Sequence, residues 1–213
     1  MITTLMKRDF YINAIYFLII ALAIPALYII EMAEFYLYFG IMMGFLFNLF
    51  YYDHRNNVNR FIGSLPVKLQ HVVLSRYVLL LVVVVGFLLY TWLVDSLAHN
   101  GLPYIESKTM SSIEITILFT LISIAISISI PIYYFVKSIT TALAIQGGLL
   151  IFGTFTFAIL TGNELITFHD SLLLWFFDLI EIQPIVMLII ISLVFLYLSY
   201  LLSARIYIKK AKV

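Results

Sequence analysis

Six uninterrupted apolar runs constrain this chain more than anything else in it. They cover roughly Phe10–Ile30, Phe35–Tyr52, Val72–Val94, Ile113–Val136, Ile139–Leu160 and Ile185–Ala204. A helix needs about 20 apolar residues to cross a hydrocarbon core about 30 Å thick, and each run is close to that length. No water reaches the backbone inside a bilayer, so a crossing segment must satisfy its own polar groups, in a helix or a closed barrel. Barrel strands alternate apolar and polar residues in segments of about 10, and these runs do not alternate. The expected fold is all-α and integral to the membrane, a single helical domain over residues 1–213 with six crossings. Composition agrees. The 213 residues are 64% hydrophobic and 11% charged, whereas an ordinary globular domain is about a quarter charged.

Charge placement orients the bundle. With the N-terminus inside, the inner segments hold Lys7, Arg8, Arg55, Arg60, Lys68, Arg76, Lys137, Arg205, Lys209, Lys210 and Lys212. Of the 12 Lys and Arg residues only Lys108 falls outside. Basic residues collect on the cytoplasmic side of membrane proteins, so both termini are expected in the cytoplasm. Acidic residues lean outward, at Glu31, Glu34, Asp95, Glu106, Glu114, Glu164, Asp170, Asp178 and Glu181.

The first run imitates a signal peptide, with Lys7-Arg8 before it and Ala21-Leu22-Ala23 within it. Its long apolar core and the five runs that follow point to a retained span. Ile2, Leu5 and Met6 repeat at helical spacing beside Lys7 and Arg8. They read as a short interfacial helix over residues 1–9 with its bases toward anionic headgroups, or as the start of span one. Two outer segments exceed a tight turn, Asp95–Ser112 and Gly162–Pro184. The second contains Leu172–Phe177, LLLWFF, which is too short to cross. It reads as a re-entrant or interfacial helix with Trp175 near the headgroups, or as an outer loop with an apolar plug.

Catalytic equipment is missing from the spans. Ionisable groups at membrane depth are costly and mark function. The spans carry essentially none, with Arg76, Glu114 and Arg205 expected near the ends, where side chains can snorkel. His54, His71, His99 and His169 lack paired metal-ligand spacing. There are no cysteines, hence no disulfide or thiolate site. No H-E-x-x-H and no P-loop G-x-x-x-x-G-K-[ST] occurs. The chain is therefore not expected to be an enzyme or to bind a cofactor. A transporter built this way is passive or takes its energy from another polypeptide.

Uncharged polar and small residues do occur within the runs. Gly40-x-x-x-Gly44, with Asn48, lies in span two, and Gln146-Gly147-Gly148 in span five. Small residues let helices approach, and amides bond across interfaces. These positions read either as packing within the chain or as a dimer seam or pathway lining.

A polar, basic island stands between spans two and three. It is Asp53–Tyr77, DHRNNVNRFIGSLPVKLQHVVLSRY. Val58, Phe61, Ile62 and Leu65 fall at i, i+3, i+4 and i+7, one face of a helix. Asn56, Asn57, Asn59 and Arg60 supply a polar rim. Asp53 is expected to cap this helix, and Gly63 with Pro66 to end it. Such a helix suits a groove on a partner, or a membrane surface.

Within the island, Asn56–Tyr77 resembles the first cytoplasmic loop of ABC-2 type transporter permeases of Gram-positive bacteria. It is most similar to the permease subunits of staphylococcal phenol-soluble modulin exporters. The likeness is specific at Arg60–Val67, RFIGSLPV, and extends to the layout of the whole chain. It implies that loop 53–71 holds a coupling helix, at Asn56–Arg60, Phe61, Ile62 and Leu65, docked on a separately encoded ABC ATPase. ATP and Mg would then act in that subunit. It implies a second permease, identical or homologous, with spans two and five lining the seam. Small outer loops and an uncharged interior favour amphipathic peptides or other lipophilic cargo over large polysaccharides.

The resulting expectation is the transmembrane subunit of an ATP-driven, type V exporter-like peptide transporter in the bacterial cell membrane, contacting lipids and no nucleic acid. The alternative is a peptide sensor or immunity component that binds a membrane-active peptide without moving it.

Overall fold

The computed structural model of the chain describes residues 2–32, 35–56, 69–102, 109–136, 138–162 and 183–211. Among them the secondary structure is entirely helical. In chain order the helices are α1 (Ile2–Ile12), α2 (Ala14–Ile29), α3 (Phe35–Arg55), α4 (Leu69–Gly101), α5 (Ser112–Phe135), α6 (Ile139–Gly162) and α7 (Pro184–Ala211). By length and composition α4, α5 and α7 can each cross a membrane, and α1 with α2 makes a fourth crossing if that bent pair is one span. Helices α3 and α6 coincide with the second and fifth apolar runs without meeting that criterion among the described residues.

Two boundaries differ from the sequence reading. The N-terminal helix runs to Ile12, so Phe10 belongs to it and not to span one. Asn13 breaks the chain direction by 62°. Its side-chain amide donates to the Asp9 carbonyl at 2.8 Å, the local bonding by which Asn competes with helix continuation. Helix α4 extends well past Val94 to Gly101, so the first part of the expected outer segment is helical. Its 33 residues give a rod of about 50 Å, longer than the hydrocarbon core. Leu172–Phe177, the expected re-entrant stretch, lies outside the described residues.

Local chemistry explains several helix ends. Ser111 and Glu114 form a capping box at the start of α5, with Glu114 N–H donating to Ser111 Oγ and Ser111 N–H to Glu114 Oε2. Glu31, at φ 55°, turns the chain just beyond α2. Pro25 and Pro131 are accommodated inside α2 and α5.

The core is built from the inner faces of α3, α4 and α5. Tyr38, Phe45, Leu49, Leu80, Leu118 and Ile130 are almost wholly enclosed. Helix α5 packs most extensively on α7. Hydroxyls stitch that region: Tyr77 Oη of α4 bonds Ser199 Oγ (2.6 Å) and Ser203 Oγ (2.9 Å) of α7. Ser199 in turn donates to the Ser127 carbonyl of α5 at 2.6 Å. Many outward side chains, including Leu18, Leu22, Leu89, Trp92, Val194 and Leu198, are exposed and apolar, as a surface in contact with lipid requires.

Candidate functional site

Where α1, α3 and α4 converge, the chain buries three charges beside a fourth, Arg8, that is part-exposed. Arg76 of α4 is 2% exposed, Asp9 of α1 2% and Asp53 of α3 6%. Arg76 Nη1 donates to Asp9 Oδ2 at 2.6 Å, and its Nη2 is ion-paired with Asp53 Oδ2. Arg8 completes the set, with Nη2 donating to Asp9 Oδ1 at 2.7 Å and lying 4.0 Å from Asp53 Oδ1. Two guanidiniums and two carboxylates sum to zero, so the cluster can be desolvated without leaving net charge in a low-dielectric site. A forked guanidinium holds two carboxylates in fixed directions as an ammonium could not.

A second polar contact lies one turn along. Asn48 of α3 donates through Nδ2 to Asn13 Oδ1 at 2.9 Å, which pins the α1–α2 elbow to α3. The cluster and this amide pair thus tie the N-terminal helix, the elbow, the end of α3 and the start of α4 into one unit. That unit flanks residues 57–68 on both sides, because Asp53 precedes the segment and Arg76 follows it. Below it, Phe50, Asp53 and His54 face Tyr133, Ser138 and Ala142 across a polar cavity of about 40 Å³. Among the described residues no group of His, Cys, Asp or Glu could hold a metal ion.

Sequence reasoning overlooked this arrangement and misread two of its members. Arg76 does not snorkel; it is enclosed and ion-paired. Asp53 is no N-cap, since it sits in the last turn of α3 with its carboxylate engaged by Arg76. Asp95, expected at the start of the outer segment, lies instead within α4. Its carboxylate is buried, accepting from Tyr28 Oη at 2.9 Å and from Met110 N–H at 2.8 Å. The available signal was numerical: inner-side acids at Asp9 and Asp53 match bases at Arg8 and Arg76, and balanced charge beside apolar runs points to pairing.

Of the expected docking residues, Asn56 is exposed just after α3, with its N–H on the Tyr52 carbonyl at 3.0 Å. Asn57, Val58, Asn59, Arg60, Phe61, Ile62 and Leu65 lie outside the described residues. The expected seam positions are placed in several ways. Gly44 packs within the chain, for a Cβ there would overlap Tyr16 Oη, which donates to the Ile41 carbonyl at 2.9 Å. Asn48 is used by Asn13. Gln146 is buried, its amide nitrogen on Ser129 Oγ and its Oε1 without a hydrogen-bond partner. At Gly40, Gly147 and Gly148 a Cβ would meet nothing within 4 Å.

The sequence of this chain of long apolar helices matches a known family model. The model described as ABC-2 family transporter protein covers residues 4–208. The chain belongs to this ABC-2 transporter family. It is accordingly a multi-pass membrane protein and the transmembrane subunit of an ABC transporter, and membership implies partnership with an ABC ATPase. Comparisons with curated proteins and with solved structures gave no match.

Proposed function

We propose that this ABC-2 subunit exports amphipathic peptides or comparably lipophilic cargo, driven by a separately encoded ATPase that docks on Asn56–Leu65. ATP and Mg²⁺ act in that partner. The subunit resides in the bacterial cell membrane with both termini in the cytoplasm, and pairs with a second permease. The observation that carries the coupling half of this reading is the Arg76 bridge to Asp9 and Asp53. A push on residues 57–68 enters the membrane through the two helices that flank them, and the bridge makes α1, α3 and α4 receive it together. A loop tethered at one end alone would bend instead. The apolar face of Val58, Phe61, Ile62 and Leu65 supports helix-in-groove docking. The RFIGSLPV likeness and the small outer segments support the peptide cargo.

The test joins binding to transport. Phe61→Asp with Ile62→Asp should abolish co-purification with the ATPase while membrane insertion stays intact. In vesicles holding both subunits, the wild type should accumulate an amphipathic peptide only with ATP. Peptide binding without accumulation would replace the exporter by a sensor, and unchanged co-purification would remove the docking helix.

A further inference from the structure

Inside the α1–α2 elbow an apolar groove of about 320 Å³ runs between Phe10, Phe17 and Ala21 on one wall and Val82, Gly86 and Tyr90 on the other. Its α4 wall extends from Val82 to Tyr90, roughly 12 Å. One end is closed where Tyr90 Oη donates to the Ala21 carbonyl at 2.7 Å. The middle is open because Gly86 has no side chain, and a Cβ there would meet nothing within 4 Å. At the other end stands Phe10, 36% exposed. Lys7 precedes it by one helical turn, on the same face of α1. Lys7 is exposed and forms no ion pair among the described residues, whereas Arg8 is committed to Asp9.

An exposed cation one helical turn from the Phe10 end of an apolar trough is the complement of one ligand class in a membrane. We propose that the groove binds a single anionic phospholipid from the leaflet on the N-terminal side, its phosphate on Lys7 and one acyl chain along Gly86. The acyl chain already lies in hydrocarbon, so the trough holds it by van der Waals contact along its walls and not by transfer from water. The phosphate sits at the level of an interfacial helix, where a lysine next to an anionic surface strengthens binding. The elbow that forms the trough is the one fixed by Asn13 and Asn48, so the lipid would brace α1 against α4. This inference rests on membrane insertion alone and stands or falls apart from the ATPase reading.

The full chain, taken from nanodiscs of equimolar phosphatidylglycerol and phosphatidylcholine into mild detergent, is examined by native mass spectrometry. One retained lipid per chain is expected, with phosphatidylglycerol preferred roughly fivefold, the scale that one lysine near an anionic headgroup supplies. Gly86→Leu, whose Cβ would meet nothing within 4 Å, puts a branched side chain into the trough and should cut retention at least tenfold. Its thermal unfolding should be unchanged or raised, since Leu is the better helix former. Ala21→Leu, entering from the opposite wall, should do the same, which separates loss of lipid from misfolding of one variant. Lys7→Gln should keep the lipid and bring the headgroup preference to about parity. Equal retention in wild type and both trough-filling variants overturns the proposal. So does a wild type with no headgroup preference, or a change of oligomeric state in Gly86→Leu, which would assign the trough to a second copy of the chain.

Discussion

Arg76 and Asp53 are ion-paired across residues 57–68, one beyond the segment and the other before it, and both are buried. Removing one member of a buried pair leaves an uncompensated charge and costs about 3–5 kcal/mol, whereas replacing the whole set by neutral groups is often tolerated. Arg76→Leu should therefore lower the thermal stability of the detergent-purified chain by that order, since Asp9 and Asp53 would then face each other with Arg8 alone between them. The triple variant Asp9→Asn, Asp53→Asn, Arg76→Leu leaves only the part-exposed Arg8 charged, where water can reach it, and should recover at least half the loss. Melting curves of the single and triple variants decide the point, and a triple variant no better than Arg76→Leu would refute it.

The same triple variant separates a fold-holding cluster from a force-transmitting one. Reconstituted with its ATPase, it should hydrolyse ATP at close to the wild-type rate and transport peptide at least tenfold more slowly. Neutral side chains can fill the site but cannot hold three helices with charge-assisted bonds. Transport at the wild-type rate would reduce Asp9, Asp53 and Arg76 to structural residues.

The elbow lock is weaker. Hydrogen bonds between helices in a membrane average about 0.6 kcal/mol and reach about 1.7. A double-mutant cycle on Asn13→Ala and Asn48→Ala should give a coupling within that range, read from unfolding of the detergent-purified chain. A coupling of zero would mean that the Asp9 carbonyl contact alone sets the bend at Asn13.

Glycine spacing illustrates how much of the fold was legible in the sequence and what was not. Gly40 and Gly44 look equivalent as a close-packing pair, yet the structure distinguishes them. Gly44→Ala should force Tyr16 off the Ile41 carbonyl and cost roughly 1–3 kcal/mol if that carbonyl is left unpaired. Adding Tyr16→Phe removes the obstructing oxygen and should relieve the steric part. Gly40→Ala should be neutral or slightly stabilising. Melting temperatures of the three variants provide the check.

Periodicity and length revealed the helices because bilayer thickness acts on each run separately. Glu114 three residues after Ser111 was similarly local, and the capping box it forms is a short-range effect. Partners distant in sequence left no such trace. Asp9 and Arg76 are 67 residues apart, as are Tyr28 and Asp95. Each looked like a loop or span-end charge until the folded helices brought its partner within reach. Asn13, mid-run and uncharged, gave no hint of a break, because its effect depends on the Asp9 carbonyl below it and on Asn48 across from it. The apolar face of Val58, Phe61, Ile62 and Leu65 was read from its spacing and its docking on an ATPase from the family resemblance, and Asn57–Lys68 lie outside the described residues.

Helix α4 offers a ruler for membrane depth and orientation. Arg76 and Asp95 are its buried charged residues, each engaged by partners from other helices or loops. The 19-residue step from Arg76 to Asp95 rises about 28 Å along the helix, close to the thickness of a hydrocarbon core. The outward side chains in this interval include Leu81, Val85 and Leu89, which would face acyl chains. Gln70, near one end, and Asn100, near the other, are exposed and polar. The native chain has no cysteine, so single cysteines can be introduced without a background. Val85→Cys and Leu89→Cys should resist a membrane-impermeant maleimide on either side. Asn100→Cys should react in intact cells, and Gln70→Cys only after permeabilisation, as the distribution of Lys and Arg requires. Labelling of Gln70→Cys and Asn100→Cys from the same side would show that α4 does not cross. Reversed sidedness would place the termini, and with them the proposed ATPase-docking segment, outside the cell.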